Sequence, residues 1–586
     1  MELIGKRYEL TKNLGSGSFG EAYLARDRRD DKAICLKLLR IVDSKSIADI
    51  AGEFRLLSQL EHPNLIRVYD FGIDEKYGPY FTLEYAVNGN LGAILPLSPE
   101  KFISAVHSIC AALDFVHGSN IIHGDLKPAN ILLDATDNYR LSDFGLAFIL
   151  GGEDKARSSG SALYIAPEVL RREGASSRSD IFSLGLLFYE MIMGRPPFDG
   201  KMTDILSRKL SGQIRFEPIP IEYGGEKMGL ILKKMTSIDP HRRYQTIEQV
   251  RQEIAELGLE GRSESSVSTL GRIRFVGRKD ELAWLEGGLE RWKQGNGTTL
   301  FLGGEPGIGK SWLLDELRVR SQVKGCRFYL VHCREEDLKP FSPILNLLSY
   351  IFDELDPGLK RFSSYGPDLK RLFPVKFAGA RRHELSESDI KSVRRRMLDN
   401  LLQYFGDISA TNRAIFAIED LQWADSDTLE FLKLAFEFTT YAKDRAPFII
   451  CTGQSDAEGV VPAFKPLSPD QQKILAGPDN ETWESFLAGL LGTSRLPSNF
   501  SSRVYRETGG NFLFTTEVIK ELVDAKILKR LRGEWSIEPS WAEQIKVPQG
   551  IRSVIAKRLS RLRPELKSIT DLAAVLGRSF ISQELI

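Results

Sequence analysis

Gly15, Gly17 and Gly20 in LGSGSFGEAY fit GxGxxG, with Leu14 entering the loop and Ala22 leaving it. Glycines at this spacing let backbone amides come close to phosphate oxygens. Alone, such a match is equally a Gly-rich turn between strands, and the strand-like EAYLA after Gly20 disfavours a dinucleotide fold, which needs a helix there. Lys37 ends the apolar strand AICLKLL, where a buried ammonium is costly unless it meets phosphate or carboxylate. Glu53 lies beside the helical stripe Ile47, Ile50, Phe54, Leu57 and can face the same cleft. Further on, HGDLKPAN supplies Asp125, Lys127 and Asn130, and DFG supplies Asp143. Carboxylates and an amide so separated can orient a hydroxyl nucleophile and hold Mg²⁺ between phosphates.

A second group has the same appetite for phosphate. GEPGIGKS, with Gly304, Gly307, Gly309, Lys310 and Ser311, fits GxxxxGK[ST] between the apolar strand TTLFLGG and a helix starting SWLLDEL. In that context amides and the helix N-terminus cradle phosphates, Lys310 reaches the β and γ oxygens, and Ser311 ligates Mg²⁺. RAIFAIED ends in Glu419 and Asp420, carboxylates that can hold Mg²⁺ through water and polarise an attacking water; the competing reading is an acidic helix cap.

The ordered set in the first group resembles the eukaryotic-type (Hanks-type) serine/threonine protein kinases over roughly residues 8–257. YIAPE (Ala166, Pro167, Glu168), DIFSLG from Asp180, GRPPF at Gly194 and DPHRR ending at Arg243 extend the match. The resemblance implies that Lys37 contacts the α and β phosphates and Glu53 clamps it. Asp125 orients or deprotonates the acceptor hydroxyl, Lys127 steadies the γ-phosphate, and Asn130 and Asp143 bind Mg²⁺. Adenine would meet the backbone of Glu84 and Ala86, with Leu83 as gatekeeper. Lys127 two residues after Asp125 favours Ser or Thr as acceptor. Gly124 stands where such kinases usually carry Arg before the catalytic Asp, so activation-loop phosphorylation is not expected to be the main switch. Ala22 and Ser161 replace the usual Val and Thr without removing chemistry, and Ser158, Ser159 and Ser161 are candidate autophosphorylation sites.

FVGRKDEL, the second phosphate loop, EDLQWAD and GGNFLF together resemble the ATPase domain of bacterial STAND/AAA-type signalling proteins, over about residues 275–545. VPQGIRSVIAKRLSRL followed by LAAVLGRSF resembles the start of their winged-helix unit. Gln454 replaces an Arg that could sense the γ-phosphate and Phe512 a Pro after GGN, so nucleotide binding is better supported than hydrolysis. Arg552, Lys557, Arg558, Arg561 and Arg563 read as the solvated face of an amphipathic helix rather than a DNA surface.

These residues need scaffolds. A β-like segment to about Asp70 followed by helical patterns from Leu97 to Leu257 gives a bilobal α+β kinase fold at residues 1–257. A Gly- and Ser-rich stretch marks a linker at 258–274. TTLFLGG, RFYLVHC, RAIFAIED and PFIICTG alternate with helices, which implies an α/β P-loop NTPase core with a doubly wound parallel sheet at 275–455. A helical subdomain is expected at 456–545 and a partial winged-helix unit at 546–586, where the chain stops inside a helical pattern. Lys plus Arg and Asp plus Glu number 79 each, so no net field favours nucleic acid or an anionic membrane. Cys35, Cys110, Cys326, Cys333 and Cys451 show no metal spacing and read as reduced thiols, and no stretch suits a bilayer span, so a cytoplasmic location is expected. The expected cofactors are ATP and Mg²⁺. The expected partners are protein substrates with Ser or Thr acceptors and a second copy through the ATPase domain, without membrane or direct nucleic-acid binding. The expected activity is protein Ser/Thr phosphorylation with the second nucleotide site as a switch. The rival reading is a pseudokinase-like docking platform on a nucleotide-driven oligomerisation or transcription-regulatory ATPase.

Overall fold

The computed structural model describes residues 2–17, 20–39, 54–143, 160–258, 272–273, 277–335, 339–365, 387–455, 467–491 and 499–537, apart from 56, 59, 120, 526 and 532–533, together with 369, 567 and 570–571. Strands β1 (Tyr8–Gly17), β2 (Gly20–Asp27), β3 (Lys32–Leu39), β4 (Val68–Asp74) and β5 (Gly78–Glu84) join a short strand at Leu3–Ile4 in one antiparallel sheet. Its order is Leu3–Ile4, β1, β2, β3, β5, β4. Register runs straight across it: Gly15 opposes Ala22, Ala22 opposes Lys37, Lys37 opposes Phe81, and Phe81 opposes Phe71.

A helical lobe follows, as expected. Helix α1 (Pro99–Gly118) starts where Ser98 accepts a hydrogen bond from the Lys101 amide and Pro99 fills the first turn. Helix α2 (Ser177–Met193) opens with a Ser176/Ser179 capping box and stops at Gly194, φ 74°. Phe102 of α1 meets Phe188 of α2 and Tyr223 edge-on in one core. Between the helices lie the Asp125–Asn130 loop and the hairpin β6 (Ile131–Leu133) and β7 (Tyr139–Leu141). Helix α3 (Met202–Leu210) packs beyond them.

In the second half, helix α4 (Lys279–Lys293) precedes strand β8 (Thr298–Gly304), helix α5 (Lys310–Val323), strand β9 (Arg327–His332) and helix α6 (Ser342–Glu354). Helix α7 (Glu387–Asn412), strand β10 (Ala414–Glu419), helix α8 (Ser426–Tyr441) and strand β11 (Phe448–Gly453) follow. The sheet is all parallel, in the order β9-β10-β11-β8-β12, where β12 (Gln472–Leu475) is an edge strand. Alternate residues feed two cores. Leu300, Ile415 and Ile450 face α4 and α5, whereas Phe301, Phe416 and Ile449 face α6, α7 and α8, as a sheet covered on both sides requires. The four apolar strands read from the sequence are all present. β12 was not foreseen because two of its four residues are Gln472 and Lys473, as suits an edge, and it carries the core sheet past residue 455.

Helices α9 (Asn480–Leu491), α10 (Phe500–Thr508) and α11 (Phe512–Asp524) pack around one hydrophobic cluster as a helical subdomain. A hairpin of Leu528–Leu531 and Glu534–Ile537 follows where only helices were read. Its register pairs Leu528 with Ile537 and Arg530 with Trp535. The winged-helix start, with Arg552, Lys557, Arg558, Arg561 and Arg563, lies outside the described residues. The five cysteines are free thiols, all but Cys35 buried. Among the described residues no helix is long and apolar enough to cross a membrane.

The two halves meet along α5. Arg318 donates to Asp70 at 2.6 Å and to the Tyr69 carbonyl at 2.7 Å, and Gln322 donates to Asp70 at 2.8 Å. Arg55 reaches Glu316 at 2.9 Å. Arg29 grips Glu354 of α6 at 2.7 and 3.1 Å while its guanidinium lies 4.6 Å over the Tyr329 ring. Val319 is buried in a cluster with Leu39, Phe54 and Phe71 of the first domain. Burial alone would raise the Asp70 carboxyl, but Arg7 and Arg318 hold it far below the usual carboxylate range. The end of the expected linker adds a strand pair, Arg272–Ile273 beside Leu60–Glu61.

Candidate functional site

Leu14, Gly15 and Gly17 lie on β1, and Gly20 and Ala22 on β2, so the Gly-rich turn joins two strands. Lys37 forms an ion pair with Asp143. Burial pushes the Asp143 carboxyl up, and the Lys37 ammonium overrides it, leaving Asp143 below the ordinary carboxylate range. Glu53 lies outside the described residues, whereas Phe54 beside it packs on Phe71 at 5.5 Å. Leu83 and Ala86 are buried, and the Glu84 amide is spent on the Arg67 carbonyl at 2.8 Å.

Asp125 sits at the centre. Its Oδ2 accepts from Lys127 Nζ at 2.7 Å and from Asn130 Nδ2 at 2.9 Å. Asn130 is bound to Asp143's neighbour: its carbonyl accepts from the Ser142 amide at 2.9 Å and hydroxyl at 3.0 Å. Thus Lys37, Asp125, Lys127, Asn130 and Asp143 converge on one cleft. The amide oxygen of Asn130 and the Asp143 carboxylate are hard oxygen donors of the kind Mg²⁺ takes, so the residues fit that ion.

Two supporting residues, His123 and Asp180, were not recognised from the sequence as part of this site, and Gly124 was recognised only for the Arg it replaces. Buried His123 donates from Nε2 to the Ser142 carbonyl at 3.0 Å and accepts at Nδ1 from the Asp125 amide at 3.2 Å, which sets its tautomer. Burial holds its pKa below the usual histidine value. Asp180, quoted only as part of DIFSLG, accepts from the amides of His123 and Gly124 at 2.8 Å each. Gly124 has φ 74°, a left-handed turn that an Arg side chain adopts only with strain.

Ser158 and Ser159 lie outside the described residues; Ser161 is in the 3-10 turn Gly160–Leu163. Lys209 of α3 secures that turn, donating to the carbonyls of Ala162 at 3.0 Å and Leu163 at 2.8 Å. It is wholly buried, and burial lowers its pKa to about 7. Between that value and its ordinary one near 10.5 the unfolded chain binds the extra proton, so this Lys makes stability rise with pH across the window. Urea denaturation at pH 7, 8 and 9 is expected to show wild type gaining on Lys209→Met, by at most about 1.4 kcal/mol per pH unit.

The second site is assembled from β8, α5, β10 and the helical subdomain. Lys310 Nζ donates to the carbonyls of Gly304 at 2.8 Å and Glu305 at 2.9 Å, and burial lowers its pKa. Glu419, at the end of β10, has its pKa pushed up to about 7 by burial, against a hydrogen bond from Ser311. Its Oε1 is buried without a hydrogen-bond partner, the kind of oxygen a cation or its water would satisfy. Asp420 stands in a left-handed conformation, φ 62°, and accepts from Gln422 at 3.0 Å. Asn511 of GGN donates to the Pro306 carbonyl at 2.8 Å, and a Cβ on Gly307 would fall 2.6 Å from its Oδ1, so only glycine lets the loop pass. Phe512 packs on Trp312 at 5.1 Å with the rings tilted by 33°. Arg278, quoted within FVGRKDEL but given no role, donates to the carbonyls of Ile308 at 3.3 Å and Ala476 at 2.6 Å. It ties the loop to the helical subdomain's approach. The loop and the Ser311/Glu419 pair fit a magnesium nucleotide.

Comparison with known proteins agrees with this geometry. The protein kinase domain family matches residues 8–254, and the AAA ATPase domain family matches residues 274–443. Serine/threonine-protein kinase PknB of Mycobacterium leprae is 33% identical over 276 residues, 43% of each chain. Serine/threonine-protein kinase PrkC of Bacillus subtilis is 30% identical over 299 residues, 48% of this chain and 44% of its own. The chain thus spans less than half the length of the curated relatives it matches. Residues 8–254 therefore form a protein kinase domain, similar to those of bacterial Hanks-type serine/threonine kinases, joined to an AAA ATPase domain, and both families use ATP with Mg²⁺.

Proposed function

We propose that this chain is a cytoplasmic protein kinase that moves the γ-phosphate of ATP to Ser or Thr hydroxyls of proteins, with its AAA domain as a nucleotide-controlled regulator. The convergence of Lys37, Asp143, Asn130, Lys127 and Asp125 carries the reading. Asp125 orients the acceptor hydroxyl and takes its proton, Lys127 beside it steadies the transferred group, and Lys37 holds the phosphates still attached to the nucleoside. Asn130 and Asp143 would hold Mg²⁺, which neutralises phosphate charge when bound. Incubation with Mg–ATP and phosphosite mapping by mass spectrometry is expected to find phosphate on Ser or Thr; none on any residue, and none on an added protein, would reject the kinase.

For the regulator, the self-satisfied Lys310 and the partnerless Glu419 oxygen support nucleotide binding, and Gln454 at the expected Arg position supports a site that binds more readily than it hydrolyses. Lys310→Ala is expected to lower the stoichiometry in equilibrium dialysis from about two nucleotides per chain to about one, because this ammonium and Lys37 serve separate sites. Two nucleotides retained would remove Lys310 from the second site.

A further inference from the structure

Helix α5 begins at Lys310 and Ser311, the phosphate-binding end, and its other end is the surface on which the kinase domain rests. Thirteen residue steps at about 1.5 Å make it a rod of roughly 20 Å. Arg318, Val319, Gln322 and Val323 fall on one face, and every one of them meets the kinase sheet or its cluster. The target is specific. Gln322 accepts from the Phe71 amide at 3.4 Å, and Phe71 stands opposite Phe81, which stands opposite Lys37. Phe71 also packs on Phe54, the residue after Glu53. One end of the rod therefore touches Phe71, which lies across Phe81 from Lys37 and against the residue after Glu53, and the other end holds the nucleotide loop.

We propose that the edge strand of the kinase sheet, at Asp70 and Phe71 of β4, is the docking surface of the AAA domain's phosphate-loop helix, and that nucleotide at Lys310 is read there by the kinase. This rests on the regulatory reading given above. In the arrangement described, Lys310 bonds its own loop's carbonyls; phosphates would take those bonds over, and a helix moves as one body, so the shift is delivered to β4. Linkage makes the effect reciprocal for binding.

The seam can be loosened with every carboxylate still hydrogen-bonded. In Arg29→Ala/Arg55→Ala/Arg318→Ala, Asp70 keeps Arg7 at 2.9 Å and Tyr8 at 3.0 Å, Glu354 keeps Tyr329 at 2.9 Å, and Glu316 keeps Arg320 at 2.6 Å. Arg55→Ala alone is the fallback should the triple variant fold poorly. In the full chain, with casein as phosphoacceptor, Lys310→Ala is expected to change turnover by about fivefold or more when the seam is intact and by less than about twofold when it is loosened. An equal change in both overturns the seam as the route while leaving the AAA domain a regulator. No change in either, with the second nucleotide demonstrably lost, overturns both. A readout free of activity is hydrogen exchange at residues 68–74 in a Lys37→Met chain given Mg–ADP: exchange should change about fivefold or more, and not in Lys37→Met/Lys310→Ala. Unmoved exchange overturns the proposal even if no variant turns over casein.

Discussion

Asp125→Asn is expected to lower phosphoryl transfer by about 10²–10⁴-fold with nucleotide affinity held within about twofold. The substitution keeps shape: an amide oxygen can still accept from Lys127 and Asn130, which reach Asp125 Oδ2 at 2.7 and 2.9 Å. The backbone stays tethered, because the Asp125 amide donates to His123, whose ring is fixed on Ser142. Only the proton acceptor is removed. Single-turnover transfer beside equilibrium binding separates the two effects, and transfer at the wild-type rate would mean another group takes the proton.

The second large effect is on stability. Arg243→Ala should destabilise the helical lobe by about 3–5 kcal/mol, which for a domain of this size lowers its thermal midpoint by roughly 6–20 °C. Arg243 is fully buried as a side chain and forks onto Glu168 at 2.6 and 2.7 Å. It also donates to the carbonyls of Ser237 at 2.7 Å and Arg178 at 2.9 Å, and lies 4.9 Å over the Phe182 ring. Truncation leaves a buried carboxylate and two carbonyls without their donor. Differential scanning calorimetry should show the kinase transition falling while the AAA transition stays; a shift under about 2 °C would mean the lobe relaxes around the gap.

Much of the candidate site was legible because its chemistry lies in short motifs. HGDLKPAN and DFG name Asp125, Lys127, Asn130 and Asp143 outright, and buried parallel strands announce themselves as apolar runs such as FIICTG. What escaped was carried by distant partners or weak patterns. Asp180 lies 57 residues from His123, whose amide it accepts, and its neighbours in DIFSLG reveal nothing of that. Arg278 acts on Ala476, 198 residues away. Gln472–Leu475 is too short and polar to stand out, and Arg318 has no local feature separating it from a solvated arginine.

That last contact also has a consequence in time. Asp70 and Arg318 are 248 residues apart in the chain, and Arg29 and Glu354 are 325 apart. At ribosomal rates of about 5–20 residues per second, the first domain's edge strand β4 waits on the order of 10–60 s for the helix that covers it. Throughout that interval Phe71 and its neighbours lack Val319, and Asp70 lacks two of its partners. The seam side of the kinase half of a nascent chain therefore stays uncovered until the downstream half has emerged.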